Sequence, residues 1–333
     1  MKFYIKIIVV FLLVYGCDNN TNEVVVYTSV DQVFSEPILK AFESQTGIHV
    51  KAVFDTEETK STGVLNRLIA EKNNTQCDVF WSGDPLRSIV LKNKGITQVY
   101  RSDIAEDINP VFKDKEAYWI GFSARARVLI YNKKMTDTYR IPQSIFDLTK
   151  EHYKNQVTIA NPLFGTTTFH IAALFEQLGD EKAKLFLKDL KKNGVVIATS
   201  NGDVKRRVMQ SEVFCGLTDT DDAFEAIKES GDVGLVFLDQ NDGIGSLIMP
   251  NTLSILKNAP HTENAKKLFT FLLSRETEQQ LAQSCAQMPL HKGVSVSKDI
   301  PSLDHIQPMK IDYQKTAEKL ETIQSFLKEW VEN

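Results

Sequence analysis

The sequence has little of what marks several protein classes. Its 333 residues include only 4 Cys, 10 Pro and 16 Gly, and 42% are hydrophobic. These values exclude collagen, a disulfide-stapled scaffold and a disordered chain. Positive charge is not in excess, because 39 Lys and Arg face 43 Asp and Glu, and this disfavours a nucleic-acid binder. What remains is a globular protein of about two domains.

Signatures of catalysis are also missing. No GxSxG, HExxH, P-loop, GxGxxG or CxxC motif occurs in the chain. The six histidines are scattered, and His170, beside Phe169 in a helical stretch, is typical of a packed residue. The sequence therefore predicts a protein that is not an enzyme and has no cofactor.

Cysteine usage indicates buried thiols and no disulfide framework. Cys77, Cys215 and Cys285 follow Cys17, and an odd number cannot all pair internally. Each of the three lies beside apolar residues, where a free cysteine behaves as a small hydrophobe.

The first 16 residues predict a signal peptide. Lys2 and Lys6 precede an apolar run over 7–14, which is too short to span about 30 Å of hydrocarbon. Residues 14–17 resemble the lipobox of bacterial lipoproteins, which implies cleavage before Cys17, a lipid on its sulfur and a tether over 17–23. An ordinary signal peptide cleaved nearby is the alternative. The remaining chain has a formal charge of about −6, so the lipid and not a basic patch supplies the membrane contact.

From residue 24 onward, short strand patterns alternate with amphipathic helical patterns. The strand patterns cover 24–27, 48–54, 78–81, 157–160, 195–198 and 214–217, and the helical ones 37–45, 169–178, 181–191, 204–209, 262–273 and 316–331. This order predicts an α/β fold with a mostly parallel sheet. Long extended runs near 119–131 and 252–256 interrupt the order, so the chain starts a second α/β series.

Hydroxyl groups gather after the predicted strands, where ligands of such sheets bind. At the start of a helix they suit an anion or an oxygen-rich solute, although Ser and Thr are also ordinary helix caps. The candidate ligand-binding residues are Tyr27, Thr28, Ser29, Ser82, Asp84, Thr166 and Thr167.

The stretch 218–222 predicts an acidic loop between a strand and a helix. Its carboxylates, with Asp219 and Asp221 foremost, suit a hard cation or an amine on a solute. The alternative is that one of them caps the helix while the others are solvated.

Four segments together resemble the bacterial extracellular solute-binding proteins of the ferric-iron type, which are the binding components of ABC importers. They are residues 23–54, 63–85, 159–175 and 258–274. The resemblance implies a periplasmic-binding-protein fold, with two α/β lobes, a hinge of crossing strands and a cleft that closes on the solute. The expected boundaries are 24–118 plus 252–298 for the first lobe and 119–251 plus 299–333 for the second.

The resemblance also implies the cargo and the partners. Ferric iron, as the transported solute, would take carboxylate oxygens from Glu57, Asp84, Asp219 or Asp221. Ferric-binding members carry a tyrosine pair where this chain has residues 216–221, so a phosphorylated or phosphonate solute is the alternative. A metal-dependent phosphoesterase is less favoured. The expected partners are the solute, an ABC permease and the membrane through a lipid anchor, without nucleic acid, for a monomer at the extracytoplasmic face.

Overall fold

The architecture comes from a computed structural model that describes residues 22–55, 62–296 and 302–332. The strands are β1 (Glu23–Thr28), β2 (His49–Phe54), β3 (Val79–Ser82), β4 (Thr97–Gln98), β5 (Ile120–Asn132), β6 (Val157–Ala160), β7 (Val196–Ala198), β8 (Cys215–Asp219), β9 (Val233–Val236) and β10 (Ile248–Leu256). The helices are α1 (Gln32–Thr46), α2 (Thr62–Ala70), α3 (Pro85–Asn93), α4 (Gly165–Leu178), α5 (Asp180–Lys192), α6 (Asn201–Met209), α7 (Thr220–Glu229), α8 (Thr262–Leu272), α9 (Arg275–Cys285), α10 (Tyr313–Thr322) and α11 (Gln324–Glu332).

The strands form a mixed sheet in the order β2-β1-β3-β10-β5-β8-β6-β7, with β4 on β10 and β9 on β5. The pairs β1–β2, β1–β3, β6–β7 and β6–β8 are parallel, as the alternation of strands and helices predicts. We call the half with β1–β4 and residues 252–256 of β10 the first lobe, and the half with β6–β9 the second lobe.

Strand β5 belongs to both lobes. Its residues 120–126 pair antiparallel with β10, and 127–131 pair antiparallel with β8. The register shifts between Pro250 and Asn251 of β10, and Ser123 opposite has a φ of 43°. The carboxylate of Glu278 on α9 accepts the Ser123 backbone N–H at 2.7 Å. The lobes therefore meet at an irregular point of a shared strand, which is a suitable place for a hinge.

Each lobe has its own apolar core. In the first, the rings of Trp81 and Phe122 pack with centroids 5.8 Å apart, beneath α1, α8 and α9. In the second, Phe169 of α4 packs edge-on against Tyr313 of α10 with centroids 6.0 Å apart. Helix α10 therefore packs on α4 of the second lobe. Among the described residues, no helix is long and apolar enough to cross a bilayer.

Several predicted elements differ in extent from the observed ones. The helix predicted over 316–331 is two helices, interrupted at Ile323, so that α10 packs on α4 while Trp330 of α11 donates a hydrogen bond to the Leu187 carbonyl of α5. The predicted acidic loop is wrong, because Asp219 ends β8 and Thr220 begins α7. The sequence patterns also missed α9 and β9.

The cysteine prediction is confirmed for the described residues. Cys77, Cys215 and Cys285 are free and buried. Burial raises the pKa of each thiol well above its ordinary value, so the thiols stay protonated. Cys17, the predicted lipidation site, lies outside the described residues.

Candidate functional site

A cleft lies between the lobes, at the carboxyl ends of the parallel strands. Its volume is about 510 Å³, including the solvent at its mouth. The first lobe contributes the segments after β1 and β3, and the second contributes the ends of β6 and β8 with the first turns of α4 and α6. Ligands of open α/β sheets bind at such an edge, so this cleft is the candidate site.

Asp219 is the centre of the polar network in the cleft. Its Oδ1 accepts a hydrogen bond from Arg127 Nη1 at 2.7 Å, and its Oδ2 accepts one from Arg125 Nη1 at 3.1 Å. The Thr166 hydroxyl donates at 2.8 Å and the Asn201 amide at 3.2 Å, both to Oδ2. Both carboxylate oxygens are therefore occupied by donors.

The protonation state of Asp219 follows from these contacts. Burial alone would raise the pKa of Asp219, but attraction to Arg127 and Arg125 and the hydrogen bonds outweigh burial. The pKa therefore lies below its usual value, and Asp219 is a carboxylate at neutral pH. Arg125 remains charged for the complementary reason, because Asp221 and Asp219 outweigh the cost of its own burial.

Three carboxylates cluster where β8 passes into α7. Oxygens of Asp219, Asp221 and Asp222 lie within 4.8 Å of one another. Asp221 Oδ2 accepts from Arg125 at 3.4 Å, and Asp222 Oδ2 accepts from the Thr218 hydroxyl at 3.1 Å. Carboxylate oxygens at this spacing are suitable ligands for a hard cation, although Arg125 and Arg127 already offset part of their negative charge.

The first turn of α4 suits an anion, in contrast to the carboxylates, which suit a cation. Gly165 has a φ of 57°, which glycine adopts without strain, and it turns the chain from Phe164 into the helix. Phe164, in the N-cap position, provides no capping side chain. Within the part of the chain that the structure describes, the first-turn N–H groups therefore have no side-chain cap, and together with the hydroxyls of Thr166 and Thr167 they suit an anion.

Five of the predicted site residues meet in or beside this cleft. Thr166, Thr167 and Asp219 lie together on the second lobe, and Asp221 lies beside Arg125. Ser29 faces them from the first lobe, where its hydroxyl accepts the Gly83 backbone N–H at 3.0 Å. They come from opposite lobes, and β5 brings them together.

Four other predicted residues hold the first lobe together instead. The Tyr27 hydroxyl donates to Glu71 at 3.0 Å, away from the cleft. Burial, followed by this contact, raises the pKa of Tyr27 to about 12. Asp84 caps α3 by accepting the Leu86 backbone N–H at 2.9 Å.

The remaining two are hydroxyls that close tight turns. Thr28 accepts the Val30 N–H at 3.0 Å, and Ser82 accepts the Asp84 N–H at 3.3 Å. Glu57, a predicted metal ligand, lies outside the described residues.

Sequence reasoning missed Arg125, Arg127 and Asn201. The two arginines stand two residues apart within the otherwise apolar run of β5, so both point to the same face of the strand. Buried arginines are rare unless they are paired, and this spacing is a signal that the sequence contains. For Asn201 the sequence contains no comparable signal, because Asn is an ordinary residue at the start of a helix.

His170 is a packed residue, as predicted. It is buried in α4. Burial, followed by repulsion from Arg127, lowers the pKa of His170 to about 3, so the imidazole is neutral and adds no charge to the cleft.

Comparison with known proteins identifies the family. A sequence profile of the family described as "Bacterial extracellular solute-binding protein" matches residues 38–308. The chain belongs to this family. The family name describes extracellular binding proteins and not enzymes, and the fold with two lobes is the one that the resemblance implied.

The relatives of this solute-binding protein have different named solutes. Iron uptake protein A1 of Synechocystis is 26% identical over 292 residues, which are 84% of this chain and 79% of the relative. A putative 2-aminoethylphosphonate-binding periplasmic protein of Salmonella typhi is 26% identical over 296 residues, 87% of this chain and 80% of the relative. Iron-bound HitA from Pseudomonas aeruginosa has the same fold, with a TM-score of 0.83, 24% identity and coverage of 92% of this chain and 99% of HitA.

Proposed function

We propose that this protein is the solute-binding component of an ABC importer, that ferric iron is its cargo, and that it catalyses no reaction. The observation that carries the proposal is the group formed by Asp219, Asp221 and Asp222, whose oxygens lie within 4.8 Å of one another. Asp219 and Asp222 line the cleft, and Asp221 lies beside it. The iron uptake protein of Synechocystis, which is similar in sequence, and iron-bound HitA, which has the same fold, support it. Ferric iron is a hard cation that prefers such oxygen ligands.

The three carboxylates have different partners. Asp219 accepts hydrogen bonds from Arg127 and Arg125. Asp221 accepts one from Arg125, and Asp222 accepts one from the Thr218 hydroxyl. We propose that the three carboxylates provide protein ligands together and that Asp219 also orients the surrounding donors. Glu57 stays a predicted ligand from the first lobe.

Calorimetric titration with buffered ferric iron tests this assignment. We expect the double variant Asp221→Asn/Asp222→Asn to bind at least about tenfold more weakly, or about 1.4 kcal/mol, because two anionic ligands are lost. The matched control is Asp242→Asn, an exposed aspartate outside the cleft, which should bind like the unaltered protein. Equal affinity in the double variant and the control would remove these carboxylates from the site.

A phosphorylated or phosphonate solute is the second candidate. The uncapped first turn of α4 and the Thr167 hydroxyl favour it, as does the named solute of the Salmonella relative. The same titration with 2-aminoethylphosphonate separates the candidates. Tight phosphonate binding that Thr167→Val weakens, without binding of iron, would establish the second candidate in place of the first.

The cellular setting is part of the proposal. We propose that a lipid on Cys17 anchors a monomer at the extracytoplasmic face and that the closed protein delivers its cargo to a membrane permease. We also propose lobe boundaries at 118/119, 251/252 and 298/299. The pairing of β10 supports the second boundary, because its residues 252–255 pair with β3 of the first lobe.

A further inference from the structure

One side chain at the hinge bonds to both lobes. Arg125 lies on β5, two residues before the strand begins to pair with β8. Its Nη2 donates to the carbonyl oxygen of Gly83 in the first lobe at 2.6 Å. Its Nη1 donates to Asp219 and Asp221 in the second lobe at 3.1 and 3.4 Å. The guanidinium group thus links the two walls of the cleft.

Gly83 leaves space for this guanidinium group because it has no side chain. A Cβ atom on Gly83 would lie 3.1 Å from Arg125 Nη2, which is tighter than an ordinary contact. The backbone of Gly83 does not have the positive φ that would itself require glycine. The missing side chain therefore serves to leave room for Arg125.

Burial of Arg125 and its partners strengthens the hydrogen bonds that link the two lobes. The Arg125 side chain is 9% exposed, and those of Asp219 and Asp221 are 1% and 5% exposed. Water screens such charged hydrogen bonds only weakly, and the planar fork of arginine can serve two lobes at once. A lysine has one compact ammonium group and cannot reproduce this geometry.

We propose that Arg125 is a latch, which keeps the empty protein closed and occupies the carboxylates that a cationic cargo needs. A guanidinium and a ferric ion repel each other at shared oxygens, so cargo must displace Arg125 from Asp219 and Asp221. Arg125 and the cargo therefore compete for the same carboxylate oxygens. The cargo half of this inference rests on the proposed function, whereas the closure of the empty protein does not.

Small-angle scattering of the empty protein tests the latch. We expect Arg125→Lys to increase the radius of gyration, with the ratio of open to closed molecules rising at least about tenfold, or about 1.4 kcal/mol. The matched control is Arg127→Lys. Among the described residues, the Arg127 side chain bonds to Thr166, Thr167, Asn201 and Asp219, which all belong to the second lobe, so its replacement should leave the radius of gyration unchanged.

Gly83→Ala gives a second route to the same state if Arg125→Lys does not fold. Its added methyl group displaces the guanidinium without removing charge, and it should also enlarge the empty protein. An unchanged radius of gyration in a folded Arg125→Lys or Gly83→Ala variant would overturn the proposal, as would equal expansion in Arg127→Lys.

The effect of Arg125 on the binding of cargo is measured separately. Stopped-flow mixing with buffered ferric iron should show faster binding by Arg125→Lys than by the unaltered protein, since the carboxylates are less occupied. Equal or slower binding would reject the competition. Failure of the proposed function would appear differently, as the absence of iron binding by the unaltered protein, with the scattering difference still present.

Discussion

At the scale of single residues, Asp219 balances the charge of two buried guanidinium groups. Its two oxygens accept from Arg127 at 2.7 Å and from Arg125 at 3.1 Å. A buried charge that loses its partner destabilises a protein far more than an exposed one does. Asp219 therefore contributes to stability as well as to the site.

We expect Asp219→Asn to lower the free energy of unfolding by about 3–5 kcal/mol, because Arg125 and Arg127 lose their shared counter-charge. Urea unfolding measures the change. Asp222→Asn is the comparison, since Asp222 is half-buried and bonded to Thr218, and it should cost about 1 kcal/mol. Equal losses in the two variants would contradict the central role of Asp219.

The sequence predicted only part of this network. It pointed to Thr166, Thr167, Asp219 and Asp221, because hydroxyls and carboxylates at strand ends are the residues that contact ligands. It also pointed to Tyr27 and Asp84, which bond to Glu71 and to the start of α3. Residue type alone cannot separate these outcomes, since a capping carboxylate and a ligand carboxylate look the same in the sequence.

At the scale of elements, the approach of α6 to β8 positions Asn201 in the cleft. The approach is close because β8 has a glycine there. A Cβ atom on Gly216 would lie 2.6 Å from Val204 Cγ1 on α6 and 2.6 Å from Thr158 Cγ2 on β6. Any larger residue must push the helix or the neighbouring strand outward.

We expect Gly216→Ala to lower the free energy of unfolding by about 1–3 kcal/mol through overpacking. The control is Gly231→Ala, where a Cβ atom would meet nothing within 4 Å, and this variant should stay within about 0.5 kcal/mol of the unaltered protein. Chemical denaturation of both variants measures the difference. If the two variants are equally stable, α6 is not tightly packed on β8.

The elements themselves were largely predictable, because hydrophobic periodicity depends on local sequence. The strand predicted over 157–160 has the observed bounds of β6, and the helix predicted over 262–273 is α8 with one residue fewer. The pattern over 316–331 continued across Ile323, although α10 and α11 pack against different partners. Such a break in a helix depends on tertiary packing, which cannot be deduced from the hydrophobic periodicity of the sequence.

At the scale of the whole molecule, two lobes share the strand β5, and a solute in the cleft would contact both. A ligand that binds only the folded protein stabilises it by an amount set by its concentration and affinity. Iron bound between the lobes should therefore stabilise the entire fold.

Buffered ferric iron at a free concentration about 100 times its dissociation constant should raise the free energy of unfolding by about 2.7 kcal/mol. A chelator in excess should reverse the effect. Thermal and urea unfolding with and without iron measure it, and Asp221→Asn/Asp222→Asn is the control that should respond less. An unfolding midpoint that is insensitive to iron would argue against iron as the cargo.

The sequence by itself determined the class of the fold, the family and the burial of Cys77, Cys215 and Cys285. These properties follow from alternating local patterns and from composition, which any folded form of the chain must satisfy. The low count of cysteines and the balanced charge already excluded the other classes.

Only the tertiary structure decided which polar groups meet. Arg125 and Asp219 are 94 positions apart, and they come into contact because β5 pairs with β10 on one side and with β8 on the other. Pairing between distant strands depends on the packing of the complete core. The cleft, the carboxylate cluster and the link across it are therefore properties of the folded chain.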